Sequence, residues 1–166
     1  QTDTSIQYWF GAFGVLNNHG TLRKSNGIGT SAFGLILQNS GSVGVDKGTL
    51  MFNAGSTAGG NFVAQAGASL SFNQGTHVNT STTSFSGDGK FIIGSGGTYQ
   101  LAQSQIVATA LELAPGGLIS GSANLGITGS FTWSGGGMEG TGKTVFANGS
   151  TILIKDGDNK TIRERT

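Results

Sequence analysis

LNNHGTLRKSNG, at residues 16–27, is followed by the related stretch LQNSGSVGVDKG at residues 37–48. The two stretches are 21 residues apart, and their apolar, Asn and Gly positions coincide. Looser copies begin at Val63 and Ile93, so that the marker glycines of the four copies are spaced by 21, 26 and 30 residues. Repetition at this period is typical of units that cannot bury a core alone and must stack on one another.

The copies contain short stretches in which apolar and polar residues alternate, such as ASLSF at residues 68–72. Alternation bounded by Gly, Asn or Ser predicts half-buried β-strands. Stacked strands with one side facing inward form a β-solenoid. We therefore predict an all-β chain in which residues 1–166 are a single parallel β-solenoid segment of about six or seven coils, part of a longer repetitive protein or fibre.

The alternation also predicts which apolar side chains point into the coil, because successive side chains of a strand point to opposite sides. The predicted interior residues are Leu16, Leu22, Leu37, Val43, Val45, Leu50, Phe52, Val63, Leu70, Phe72, Phe91, Ile93, Leu101, Leu111, Leu113, Leu125, Ile127, Phe131, Val145, Phe146, Ile152 and Ile154. Residues 104–114 allow either a strand or a helix. The strand is favoured because the apolar residues there alternate rather than recur at helical spacing.

Composition narrows the function. The chain has 31 glycines, one proline and no cysteine, which predicts many tight corners and excludes disulfides, cysteine-bound zinc and thiol catalysis. Its formal net charge is +1, and its nine Lys and Arg residues are scattered, so we expect no nucleic-acid partner. No apolar run approaches the ~18 residues of a membrane-spanning helix, so we expect no membrane span.

Residues 137–144, GMEGTGKT, match the pattern of a phosphate-binding loop. Such a loop needs a preceding strand and a following helix whose N-terminal amides hold the phosphate. The following residues, VFANG at 145–149, do not favour a helix. We therefore interpret the match as a glycine-rich corner, and we expect no nucleotide and no cofactor.

Candidate metal ligands and catalytic residues do not form a recognisable pattern. Asp156 and Asp158 have the spacing of calcium ligands, but the Gly and the late Glu of a calcium loop are misplaced. His19 and His77 lack the partner spacing of a metal site. The carboxylates elsewhere fall at different offsets within their repeats, so we expect no metal site, no paired acid and base and no catalysis.

Side chains that recur or stand out suggest two further roles. Asn18 and Asn39 occupy the same position in two copies, which predicts an amide ladder between stacked turns. Trp9, Tyr99 and Trp133 are the candidate platforms for stacking on a glycan, because aromatic rings with a polar handle suit that contact.

The run FTWSGGGMEGTGKT at residues 131–144, with NGSTILI at 148–154 and KTIR at 160–163, resembles motif runs in repeat-rich secreted bacterial surface proteins. Residues 16–25 carry the same resemblance. It points to the class that includes autotransporter passengers and filamentous haemagglutinins, and it implies a right-handed parallel β-helix. The resemblance implies no catalytic residue.

Repetition without a chemical cluster favours a structural or adhesive role. We expect an extracellular β-solenoid module of the bacterial cell surface or of a fibre. Its expected partners are neighbouring copies stacked head to tail or adjacent repeats, with surface glycans as candidate ligands. A carbohydrate-binding module is the first alternative, and a β-helix enzyme acting on polysaccharide is the second.

Overall fold

The computed structural model describes residues 3–8, 11 and 14–166, with all their side chains except that of Thr82. These residues form 20 short strands and no helix, so none of them could cross a membrane as a helix. The strands are β1 (Val15–Asn18), β2 (Thr21–Lys24), β3 (Thr30–Phe33), β4 (Ile36–Asn39), β5 (Ser42–Val45), β6 (Thr49–Phe52), β7 (Ser56–Ala64), β8 (Ser69–Phe72), β9 (Gly75–Ser86), β10 (Lys90–Ile93), β11 (Gly97–Leu101), β12 (Gln105–Val107), β13 (Ala110–Leu113), β14 (Leu118–Gly121), β15 (Leu125–Ile127), β16 (Ser130–Trp133), β17 (Gly136–Glu139), β18 (Thr144–Phe146), β19 (Thr151–Ile154) and β20 (Lys160–Arg163).

The strands recur in a fixed order around three faces and form a β-solenoid of about seven turns, as predicted. The first face stacks β1, β4, β7, β9, β11, β14, β17 and β20. The third face stacks β3, β6, β8, β10, β13, β16 and β19. The second face stacks β2, β5 and the later parts of β7 and β9, and beyond them β12, β15 and β18. Each strand pairs in parallel with the strand one coil away.

The 21-residue repeat is the true register of the first two coils. Asn18 lies beside Asn39, and Leu22 lies beside Val43. The looser copies were aligned wrongly, because Val43 pairs with Phe62 and the stretch around Gly67 is a turn leading to the third face. β7 runs continuously over two faces and keeps the same offset of 19 residues to β4 and to β5, so no turn separates the two faces in this coil. The register shifts only toward the next coil, where β9 has extra residues opposite Ala58 and Gly60.

The core consists of columns of apolar side chains that run along the solenoid axis. One column of the third face begins with Phe33, Phe52 and Phe72, whose ring centroids are separated by 5.5 Å and then 6.0 Å. All three are buried. Each such side chain contributes about 1.5–3 kcal/mol through removal from water. The solenoid is therefore held together by contacts between coils rather than within one coil.

Most of the predicted interior residues are buried or packed at the edge of the core. Val63 was assigned to the wrong side, since Phe62 and Ala64 are buried instead. The looser copy had placed Val63 at the position of Leu37, whereas β7 keeps a single register along its length and places Val63 beside Gly44, on the side opposite the buried residues. Val145 was also wrong, because it points outward from the second face.

Ile152 and Ile154 were predicted to be buried, and they are exposed. They do belong to inward columns, because Ile152 lies beside the buried Phe131 and Ile154 beside Trp133. They are exposed because β19 is in the last coil and no described coil follows it. Residues 104–114 form the strands β12 and β13, which confirms the favoured interpretation.

The predicted asparagine ladder forms in the first coils. Asn18 Nδ2 donates to Asn39 Oδ1 over 2.6 Å, and Asn39 Nδ2 donates to the Gly59 carbonyl over 2.6 Å. Ala58 interrupts the column, and Asn79 resumes it in the next coil. Each amide connects successive turns, so the asparagines fix the corner between the first and second faces.

Candidate functional site

Two of the three candidate glycan platforms, Tyr99 and Trp133, lie in inward columns rather than on an outer face. Tyr99 is 3% exposed and lies in an inward column between His77 and Ile119. Burial raises the pKa of Tyr99. Trp133 is half-buried and lies in the inward column beside the buried Leu113. Trp9 lies outside the described residues. The strand register therefore turns the Tyr99 and Trp133 rings inward, where they are not placed to stack on a glycan as the sequence suggested.

The phosphate-loop match is a corner between two strands. It covers the end of β17, and Thr144 begins strand β18 where a phosphate loop would begin a helix. Gly140 has a φ of 91°, which suits a sharp corner, and Lys143 is exposed. Without a helix N-terminus there is no fan of amides to hold a phosphate.

In the described part of the chain, no three His, Asp or Glu side chains lie close enough together to hold a metal ion. Asp156 and Asp158 lie in an exposed turn. His19 is exposed, and its Nδ1 lies 2.7 Å from Ser40 Oγ on the neighbouring coil.

One charged cluster lies on the outer side of the third face. Glu112 accepts a hydrogen bond from Lys90 Nζ (2.9 Å) and another from Ser134 Oγ (2.9 Å). Partial burial raises the pKa of Glu112, but these hydrogen bonds outweigh it and hold the pKa below its usual value. Glu112 is thus an ionised carboxylate that links three coils, and its register neighbours on the adjacent coils, Ile92 and Thr132, are not carboxylates.

The second face is interrupted between β9 and β12. Its strands form one ladder as far as β9, whereas β12 begins a separate sheet with β15 and β18. Gln105 bridges the interruption, since its Nε2 donates to the carbonyl oxygens of Thr83 (2.8 Å) and Ile106 (3.0 Å). We call this interruption, between residues 83–85 and residues 105–107, the seam. The sequence gives no sign of it, because both strands alternate normally.

A groove of about 620 Å³ follows the seam, and we call it the seam groove. Gln105 is 4% exposed, and its Oε1 has no hydrogen-bond partner among the described residues. Ile106, by contrast, is 67% exposed. The groove is lined by Ser81, Thr83, Ser84, Phe85, Gln103, Ser104, Gln105 and Ile106.

The last coil leaves an apolar surface at the C-terminal end of the solenoid. Strands β18, β19 and β20 each pair only with the preceding coil. Ile152, Ile154 and Ile162 continue inward columns, yet they are 46%, 66% and 61% exposed. We call these three side chains and the free edges of β19 and β20 the open end. The edge of β18 is partly covered, because the Thr144 N–H donates to the Thr166 carbonyl over 2.7 Å.

Arg165 closes one corner beside the open end. Its Nε donates to Thr144 Oγ1 over 2.7 Å, and Nη2 donates to the carbonyl oxygens of Ala123 and Lys143, each over 3.1 Å. Burial lowers the pKa of Arg165. The guanidinium thus satisfies carbonyl groups from two turns, a role that its place near the end of the sequence did not suggest.

The opposite end is partly covered by its own chain. Ile6 donates its backbone N–H to Ala32 of β3 over 2.9 Å and accepts from Gly34 over 2.7 Å. Asp3 forms an ion pair with the buried Lys24. The two ends therefore differ, since the described residues show a covering segment only at the N-terminal end.

Comparison of the chain with protein-family models, with curated protein sequences and with solved structures gives no significant match. The open end, the seam and the distribution of side chains are therefore the features that bear on function.

Proposed function

We propose that this chain is a non-catalytic structural and adhesive β-solenoid module of an extracellular bacterial surface or fibre-forming protein. The open end carries the proposal. Two parallel strands there, β19 and β20, present free edges beside exposed apolar side chains, and another coil of the same geometry is complementary to both. Neighbouring copies stacked head to tail, or adjacent repeats, supply such a coil.

The distribution of side chains supports a structural role. Charged residues make up 10% of the chain, and the ion pairs in the described residues connect neighbouring coils. The asparagine ladder does the same. Interactions that repeat along an axis stabilise a rod, and a rod provides length and a regular surface. The absence of cysteine suits a repetitive exported protein that is stable through stacking alone, and the resemblance to secreted surface proteins suggests the extracellular location.

Association through the open end is tested by sizing the chain at increasing concentration. The unsubstituted chain should associate, and Ile154→Lys should remain monomeric because a charge would be buried between coils. Ile106→Lys is the matched control, since Ile106 is 67% exposed on the side of the solenoid, two coils before the coil of β18. A monomeric unsubstituted chain, or equal loss of association in both variants, would contradict the proposal.

Carbohydrate binding is the second candidate function, and the seam groove favours it. An enzyme acting on polysaccharide is not favoured, because Glu112 is paired with a lysine and the residues beside it on the neighbouring coils are Ile92 and Thr132. Reducing ends released from a panel of polysaccharides would overturn the non-catalytic part of the proposal.

A further inference from the structure

We propose that the seam groove binds a neutral glycan segment and is the adhesive site of this module. The inference deepens the adhesive part of the proposed function by naming a ligand class and its place. It rests on the interruption of the second face, on the chemistry of the groove lining and on one buried oxygen atom without a partner.

The Gln105 carboxamide lies inside the seam. Its Nε2 donates both to Thr83 of β9 and to Ile106 of its own strand, so the amide nitrogen lies between the two strands. Oε1 belongs to the same small planar group and therefore also lies in the seam. Leu125, the residue beside Gln105 in the next coil, is apolar and buried. The glutamine thus places a polar group directly beside an apolar side chain of the next coil.

The oxygen of this carboxamide, Oε1, is buried and unpaired within the described residues. A buried carbonyl oxygen without a donor loses the hydrogen bonds that it makes with water in the unfolded chain, and folded proteins rarely leave one unpaired. The described residues provide no donor to Gln105 Oε1. A hydroxyl group that enters the seam from the groove would supply the missing hydrogen bond. This oxygen therefore selects for a ligand that carries O–H donors.

The charge of the groove lining also restricts the ligand. Every residue that lines the seam groove is uncharged. Phosphate and carboxylate ligands are held by Arg, by Lys or by helix N-termini, and the groove has none of these. A nucleotide or an acidic polysaccharide would consequently leave its charge unpaired. The lining selects for a neutral ligand.

The size and lining of the seam groove also restrict the ligand. The groove volume of about 620 Å³ is within the range of ligand sites. Ser81, Ser84 and Ser104 place exposed hydroxyl groups along it, while Ile106 provides an exposed apolar surface. A sugar ring has both hydroxyl edges and C–H faces, so it matches this mixture. Neutral polyhydroxylated chains are the ligand class that uses every feature of the groove.

The test is an NMR titration of the ¹⁵N-labelled chain with cellohexaose, maltohexaose, mannohexaose and xylohexaose, each to about 5 mM, so that weak binding is detected. A heparin hexasaccharide and ATP are the anionic probes. At least one neutral probe should shift amides of residues 81–85 and 103–106, and the anionic probes should not. No shift with any neutral probe, shifts elsewhere, or preference for an anionic probe would overturn the proposal.

Substitutions separate a binding role from a structural one. Ile106→Asp and Ser104→Ala change exposed side chains, so folding should be retained while affinity falls by about 3- to 10-fold or more. Gln105→Met should weaken binding further. Because Gln105 is buried, this result supports the proposal only if Ile106→Asp and Ser104→Ala also weaken binding. Val145→Ala is the matched control, because Val145 is exposed in the same outward column as Ile106, two coils away.

The titration is repeated in the Ile154→Lys background. Glycan binding that persists in a monomeric chain supports the groove whether or not the open end associates. Association without any saccharide shift leaves the structural proposal standing and overturns the groove as a glycan site. A water molecule held at Gln105 Oε1, with no saccharide response, would overturn it in the same way.

Discussion

Nδ1 of His77 lies 2.9 Å from Oγ of Ser56, which precedes it by 21 residues and faces it across one coil boundary. Both side chains are buried, and His77 Nε2 donates to the Asn73 carbonyl over 3.0 Å. Because a carbonyl oxygen can only accept, Nε2 carries the proton and Nδ1 accepts from the serine. A neutral imidazole therefore completes a polar link inside an apolar column.

This link predicts an acid-sensitive step in stability. Burial lowers the pKa of His77 from its ordinary value of 6.5, and the hydrogen bond to Asn73 opposes that shift only in part. The unfolded chain then binds a proton at a higher pH than the folded chain. The stabilisation is fully present above pH 6.5 and is lost as the pH falls below that value toward the folded-state pKa.

Denaturant unfolding between pH 7.5 and pH 5 measures this effect. The free energy of unfolding should decrease toward acid, with a slope that does not exceed about 1.4 kcal/mol per pH unit for one proton. His77→Gln should reduce the slope. His19→Gln is the matched control, because His19 also contacts a serine 21 residues away but is exposed. Identical slopes in both variants would show that His77 is not the source.

Burial along one solenoid should determine the cost of core truncation. Phe72→Ala removes a side chain enclosed by coils on both sides and should cost about 3–5 kcal/mol. Ile152→Ala should cost less than half as much, because Ile152 is 46% exposed. Chemical denaturation at low protein concentration compares the two. Equal costs would indicate that the last coil is covered in solution.

The asparagine ladder should contribute measurably to stability. Asn39→Ala removes the acceptor of Asn18 and leaves the Gly59 carbonyl without its donor, at a cost of about 1–3 kcal/mol. Asn148→Ala changes an exposed turn residue and should stay within about 0.5 kcal/mol. Thermal and denaturant unfolding of both variants give the comparison, and a neutral Asn39→Ala would refute the role of the ladder.

Two glycines with positive φ should respond differently to alanine. Gly67 has a φ of 77° and open space around it, so Gly67→Ala should cost only the backbone strain of about 1–2 kcal/mol. Gly60 has a φ of 71°, and an added Cβ would overlap the Gly41 carbonyl oxygen on the neighbouring coil. Gly60→Ala should therefore cost substantially more. Similar unfolding free energies for the two variants would show that the coils separate easily there.

Much of the fold could be predicted because its main signal is local. Alternation in β6, β8 and β13 identified Leu50, Phe72 and Leu113 as interior residues, and all three are buried. The first repeat gave the pairing of Asn18 with Asn39. The same signal failed in β7, because the looser copy was aligned wrongly and assigned Val63 to the interior, whereas Phe62 and Ala64 are the buried residues.

The candidate site was not predictable in the same way. Tyr99 and Trp133 were chosen for their chemistry, and the register turned both inward. In the sequence, Gln105 looks like an ordinary polar residue of a strand. Its unpaired oxygen is visible only in the structure, where β12 does not pair with β9. A seam is a relationship between residues more than 20 positions apart, so no local pattern reports it.

The sequence by itself determined that this chain forms parallel strands stacked in coils, because the period of two and the 21-residue repeat are properties of neighbouring residues and of simple spacing. The tertiary structure alone decided which end is open, where the second face is interrupted and how His77 meets Ser56. The physical reason is that these features depend on the length of each corner. Small differences between corners accumulate along the axis and set which strands come close enough to pair.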